Sequence, residues 1–166
     1  MKQDNFKVQK IPGRVPLRQL QAVNKERYPY LLESVIGSKN ANQFDILFAF
    51  PQESLILNNQ GCLQGAVLKS KAKSKPSCHF LDVLNEWIGE NKIEHSQSQT
   101  LPFCGGWFVY LGYELTQQIE AKVSFFQSSD NFPIAFATRC PAAIIVDKRN
   151  NASYLLSENN FVKTLE

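Results

Sequence analysis

The chain has 166 residues with a formal net charge of +3, 43% hydrophobic and 20% charged. This suits one globular domain with a real core, residues 1–166, and excludes a disordered or strongly basic nucleic-acid-binding chain. Twelve Phe, two Trp and five Tyr favour aromatic-rich sheets over a helical bundle.

In chain order, the first ten residues are polar and carry no apolar leader core. Pro16 at a first helical position opens a short amphipathic helix over Leu17–Lys25, with Leu17, Leu20 and Val23 on one side and basic residues toward its end. Strands follow at Tyr30–Ser34 and Phe44–Phe50. In the second, Phe44, Ile46, Phe48 and Phe50 share a face while Asp45, Leu47 and Ala49 share the other, so both faces are largely apolar and the strand is central. Ser54–Leu57 and Cys62–Leu68 flank Asn58-Asn59-Gln60-Gly61 and predict a β-hairpin. Lys69, Lys71, Lys73 and Lys75 alternate with small residues up to Pro76 and read as a solvated loop, since no aromatic residue or Arg interleaves to make a phosphate-binding patch.

Ser77 is the expected cap of a helix from about His79 to Glu90 that presents Leu81, Leu84, Trp87 and Ile88 to a sheet. Asn91–Gln99 is a polar connection. Leu101–Glu120 then reads as a glycine corner: Gly105 and Gly106, a doubly covered strand over Trp107–Leu111, a bend at Gly112 and helical spacing in Tyr113–Glu120. Ile134–Thr138 and Ala142–Asp147 are strands separated by Cys140-Pro141. Asp147–Asn151 turns into a strand at Ser153–Leu156, and Phe161–Glu166 opens a further helix. Several strands with two or three helices, without regular strand-helix alternation, predict an α+β fold with antiparallel sheets.

No catalytic constellation is apparent. Cys62, Cys78, Cys104 and Cys140 are far apart, and no His stands at metal-ligand spacing, so zinc is unsupported. His79 beside Cys78 and before Asp82 is accounted for by a helix start, and His95 by an exposed polar stretch. Glu120 and Ser157-Glu158 belong to no Gly-x-Ser-x-Gly elbow, and the glycine corner has neither GxGxxG spacing nor a following Lys-Ser or Lys-Thr. No run reaches the ~18 apolar residues of a membrane span, so a cytoplasmic protein with reduced thiols is expected. Ser34 ends an apolar strand before the Gly37-Ser38-Lys39-Asn40 loop, which suits either a small-ligand site or a hydroxyl that only bonds its own turn.

Three motifs carry a resemblance. GGWFVYLGYEL with Ile119-Glu120, YPYLLESVIGSKNANQFD over Tyr28–Asp45, and Phe132-Pro133 followed by Ala142–Asp147 stand in order. They resemble the GG-x-x-GY-x-GYDL…E, LLES/FD and closing-hairpin segments in the N-terminal domain of chorismate-utilising enzymes, the component I chains of aminodeoxychorismate synthase and anthranilate synthase. The likeness covers about Pro29 to Ser157.

It implies the fold of that N-terminal domain and a pocket for L-tryptophan lined by Ser34, Ala41, Asn42, Gln43 and Phe44, with Gln43 where the family often has Arg. It also implies a glutamine amidotransferase partner, and chorismate and Mg²⁺ held by a C-terminal catalytic domain beyond this chain, which by itself is then inactive. The compact segment between the FD strand and the GG strand favours aminodeoxychorismate synthase over anthranilate synthase. A free-standing amino-acid-binding module is the alternative of another class.

Overall fold

The computed structural model describes residues 6–34, 43–70, 79–91, 101–120, 122 and 131–158. Within them the chain is α+β, with two antiparallel sheets. It divides into two compact units: Met1–Gln52, Ile93–Trp107 and Cys140–Glu166 form the first, and Glu53–Lys92 with Phe108–Arg139 the second.

The first unit contains strands β1 (Phe6–Pro12), β2 (Tyr30–Leu32), β3 (Phe44–Ala49), β8 (Ala142–Asp147) and β9 (Ala152–Glu158), in the order β1-β9-β8-β3-β2. Expected strand β3 is interior, between β8 and β2, as its two apolar faces require. β1 went unforeseen because its side chains Lys7 to Lys10 are exposed, as befits an edge strand, and leave no apolar run to read. Pro141 directly precedes β8, where its missing N–H costs nothing, and its carbonyl accepts the Glu158 N–H at 3.0 Å.

Directly paired residues share a face. Gln9, Leu155, Ile144, Leu47 and Leu31 form one row across the sheet. Helix α1 (Leu17–Val23) covers this face, and Leu17, Leu47, Ile144 and Val146 form a core with Val15, Leu20, Tyr28, Leu31 and Leu155 packed on it. The helix is shorter than predicted, with Pro16 as its cap rather than its first residue. Val23 is 84% exposed, because a spacing of three repeated twice drifts off the buried stripe of a 3.6-residue helix. Ser153, fully buried, ties the approach to α1 down: its hydroxyl donates to the Gly13 carbonyl at 2.8 Å and accepts the Val15 N–H at 2.9 Å. The other face buries Phe6, Phe48, Ala143, Ile145 and Leu156, with the Phe103 ring edge-on to Phe48 at 4.9 Å.

The second sheet, all of it in the second unit except Gly106, Trp107 and Cys140, consists of β4 (Ser54–Leu57), β5 (Leu63–Gln64), β7 (Ala135–Cys140) and β6 (Gly106–Leu111), in the order β5-β4-β7-β6. The hairpin forms as expected between β4 and β5, with Gly61 at φ +76°. The second strand is far shorter than Cys62–Leu68: it gives way at Gly65 to a helical turn, α2 (Val67–Ser70), that packs on β4 and buries Val67. Gly65 lies against the Ser54 carbonyl at φ +135°, a place no side chain fits.

Helix α3 (Phe80–Glu90) packs on β4 with Phe80, Val83, Leu84 and Trp87 buried. The buried stripe is thus i, i+3, i+4, i+7 from Phe80, and Leu81 and Ile88 flank it, each 37% exposed. The glycine corner leads into a strand at the edge of its sheet rather than one covered on both sides: Val109, Tyr110 and Leu111 are exposed. Gly112 bends the chain with its N–H on the Ile134 carbonyl at 2.8 Å, and the helical segment is a 3₁₀ turn, Tyr113–Leu115, running into α4 (Thr116–Ile119). The expected cap Ser77, the loop residues Lys71, Lys73 and Lys75, Cys78, the connection after Asn91 with His95, and the segment Phe161–Glu166 lie outside the described residues.

Candidate functional site

The end of β2 and the start of β3 bring one group of charged side chains together. After Leu32 the chain leaves the ladder, and the Ser34 N–H donates to Asp45 Oδ1 at 2.8 Å while its hydroxyl donates to the same oxygen at 3.1 Å. Lys148, just past β8, donates from Nζ to that Asp45 oxygen at 2.9 Å, to the Ser34 carbonyl at 2.6 Å and to Ser34 Oγ. Ser34 therefore bonds across the sheet, to Asp45 and Lys148. The Asp45 and Lys148 side chains are only 17% and 16% exposed, so their charges meet with little water between them. Partial burial alone would push the Asp45 carboxyl up; the Lys148 ammonium and the two Ser34 donors outweigh it and hold the carboxyl below its ordinary value.

Beside this triad is a cavity of about 310 Å³ lined by Arg14, Val15, Leu17, Arg18, Glu33, Asp45, Val146 and Lys148 among others. Arg18 grips Glu33 on its rim, Nε to the two carboxylate oxygens at 2.9 and 2.8 Å, which raises the Arg18 pKa. Three cations and two carboxylates thus border one small space with an apolar wall of Val15, Leu17 and Val146. Such a border can pair both an ammonium and a carboxylate of one ligand.

A second polar knot closes the β8–β9 turn. Asp147, 3% exposed, accepts the N–H groups of Arg149 and Asn150 at 2.9 and 3.0 Å and the side-chain amides of Asn150 and Gln43 at 2.7 and 3.0 Å. Burial would raise this carboxyl, but the four donors hold it below its ordinary value.

The five residues singled out from the sequence fare differently. Ser34 is joined to the charged cluster through Asp45 and Lys148. Gln43 is bound to Asp147. Phe44 pairs with Asp147 across the ladder, so its side chain is on the face of β3 opposite Asp45 and outside the cavity lining. Ala41 and Asn42 lie outside the described residues.

Arg18, Glu33, Asp45 and Lys148 were missed as site residues. The readable signal was an acid alternating into the apolar strand FDILFA, since a carboxylate at an interior strand position needs a partner. Lys148 follows another such acid, at the end of AAIIVD. Among the described residues no three His, Cys, Asp or Glu side chains gather as metal ligands, and no helix is long and apolar enough to cross a membrane. No protein-family model and no curated protein matches the chain.

Proposed function

We propose that this chain is the N-terminal, non-catalytic domain of component I of aminodeoxychorismate synthase, with the fold of that domain and a bound L-tryptophan beside Ser34. The whole enzyme aminates chorismate to 4-amino-4-deoxychorismate in the cytoplasm, on the route to 4-aminobenzoate and folate. In this reading chorismate and Mg²⁺ belong to a C-terminal domain, ammonia comes from a glutamine amidotransferase subunit, and the present domain supports both.

The observation that carries the reading is the pairing of the two strands that bear the LLES and FD motifs. Tyr30–Leu32 and Phe44–Ala49 are ladder neighbours, and Ser34 of one motif bonds Asp45 of the other. The charged cavity beside them suits an amino acid. Its ammonium has the Glu33 and Asp45 carboxylates to bond, its carboxylate has Arg14 and Arg18, and its indole has the wall of Val15, Leu17 and Val146.

Calorimetric titration of the chain with L-tryptophan, and with tryptamine and indole-3-propionate that each lack one charge, tests the assignment. The zwitterion is expected to bind at least about tenfold more tightly than either analogue, and Ser34→Ala and Asp45→Asn to weaken it by about the same factor. Absence of binding, or equal affinity for all three ligands, overturns the tryptophan assignment. Anthranilate as the product, once a catalytic domain is joined to this one, would transfer the chain to anthranilate synthase.

A further inference from the structure

The first unit holds a second, larger cavity of about 650 Å³ at the other end of the face that α1 covers. Its origin is a step in side-chain size. The row Gln9-Leu155-Ile144-Leu47-Leu31 is bulky, whereas the next row, Lys7-Ser157-Ala142-Ala49, has only small side chains on its three inner strands. Ala49, Ala142 and Ser157 are nearly or fully buried and make a low, flat floor. Four strands at about 4.8 Å spacing make that floor roughly 14 Å across.

Tyr28 and Phe50 wall it on the β3 side, their rings edge to face at 6.4 Å. Phe50 takes φ +57°, a left-handed conformation that a bulky residue rarely adopts, and its N–H is pinned to the Arg27 carbonyl at 2.8 Å. A conformation of this kind needs surrounding structure to hold it, and here it sets an aromatic ring at the margin of a cavity.

The charge on this cavity is one-sided. Lys7 stands at the β1 margin and Arg27 at the opposite one, its guanidinium 5.1 Å from the Phe50 ring centre, and among the described residues no acidic side chain lines the cavity. An apolar floor, an aromatic wall and two cations with no acid beside them among the described residues match an organic anion with a flat or extended apolar body. The volume is that of small-molecule pockets in general. The 310 Å³ cavity, by contrast, carries both signs of charge and shares no lining residue with this one.

We propose that this groove is a binding site for an amphipathic carboxylate, with the apolar body on Ala49, Ala142, Ile144 and Leu155 and the acid group paired with Arg27 or Lys7. The site is independent of the tryptophan assignment, since it uses none of the same residues.

The test is an amide-resolved NMR titration of the full chain with 2-naphthoate, octanoate and the neutral 2-naphthamide. The expected result is saturable shifts at the amides of Ala142, Ala143, Leu155 and Ser157 with one or both carboxylates, the planar acid and the acyl chain separating the two kinds of body. The naphthamide should bind the same amides about tenfold more weakly than naphthoate. The double variant Lys7→Gln, Arg27→Gln removes only exposed charges and should abolish that difference. Ala142→Val should block both carboxylates by raising the floor, with the unchanged spectrum of the rest of the sheet reporting an intact fold. Absence of shifts at these amides, or equal affinity for naphthoate and naphthamide in the unaltered protein, overturns the proposal.

Discussion

The two sheets solve the same packing problem with different chemistry. In the first, four of the five strands have six or seven residues and pair over their whole length, and the polar groups they bury, Asp147, Ser153 and Ser157, lie toward strand ends, where turn and loop donors reach most of them. In the second, β4 has four residues and β5 two, Thr138 is the buried polar residue in the ladder, bonded to Ser54 at 2.9 Å, and one face is a cluster of rings. Phe136 stacks at 6.0 Å from Phe108 and 5.5 Å from Tyr110, and Phe132 stands edge-on to Tyr110 at 5.2 Å. Charge-bearing cavities therefore occur where long strands end among polar turns. Aromatic stacking instead joins β6 to β7 in the second sheet.

The largest effects should come from the two apolar centres. Leu47 and Leu55 are both fully buried, one in each sheet, and Leu47→Ala and Leu55→Ala should each cost about 3 kcal/mol in urea unfolding. Trp87 fluorescence follows the second unit, in which it is buried. A much smaller loss for Leu55→Ala would mean that the shorter sheet can collapse around a missing side chain.

Next are two glycines that differ in what they touch. An alanine at Gly65 would meet the Ser54 carbonyl, which is part of the β4 backbone, whereas one at Gly105 would meet the flexible Glu158 side chain. Both positions have positive φ, so both substitutions strain the chain, but Gly65→Ala should cost roughly 3 kcal/mol and Gly105→Ala roughly 1 to 2 kcal/mol. Thermal melts of the pair would reverse the comparison if Gly105→Ala proved the worse.

Lys148→Met would leave the Asp45 carboxylate with Ser34 as its remaining partner in the cluster described. A loss of about 1 to 3 kcal/mol is expected, together with a rise in the Asp45 pKa readable by carboxyl NMR. An unchanged pKa would show that Ser34 alone holds the charge.

Acid should act on the first sheet. Asp45 and Asp147 both have folded pKa values below the ordinary 3.8, so their contribution is complete above that value and is lost as pH falls from there through the folded values. Stability should fall below about pH 4, and Asp45→Asn, Asp147→Asn should flatten that limb of the curve. The smallest effect is expected at the rim: Arg18 is 78% exposed, and Arg18→Ala should leave the melting temperature unchanged while weakening any carboxylate held in the smaller cavity.

Much of the β-structure was legible in the sequence. Ser54–Leu57 and Ala142–Asp147 stand as read, and the Phe44 strand ends one residue early, because alternation of side chains and turn residues at the ends are local signals. The edge position of Gly106–Leu111 was not legible, since an aromatic strand reads alike whether its rings meet another layer or each other. Nor was β1, whose exposed lysines look like a solvated tail until Phe6–Pro12 is seen paired with β9.

The site divides along the same line. The order of residues determined that a strand starts at Tyr30, though it stops at Leu32 and not at Ser34, that Asp45 enters an apolar strand, and that turn-forming residues follow Asp147. Only the tertiary structure decided that Lys148 crosses 114 positions of sequence to bond Ser34, and that Gln43 bonds Asp147 across the ladder. The reason is physical: strand formation is a local preference, whereas a buried charge takes its partner from whichever strand the folded register brings alongside.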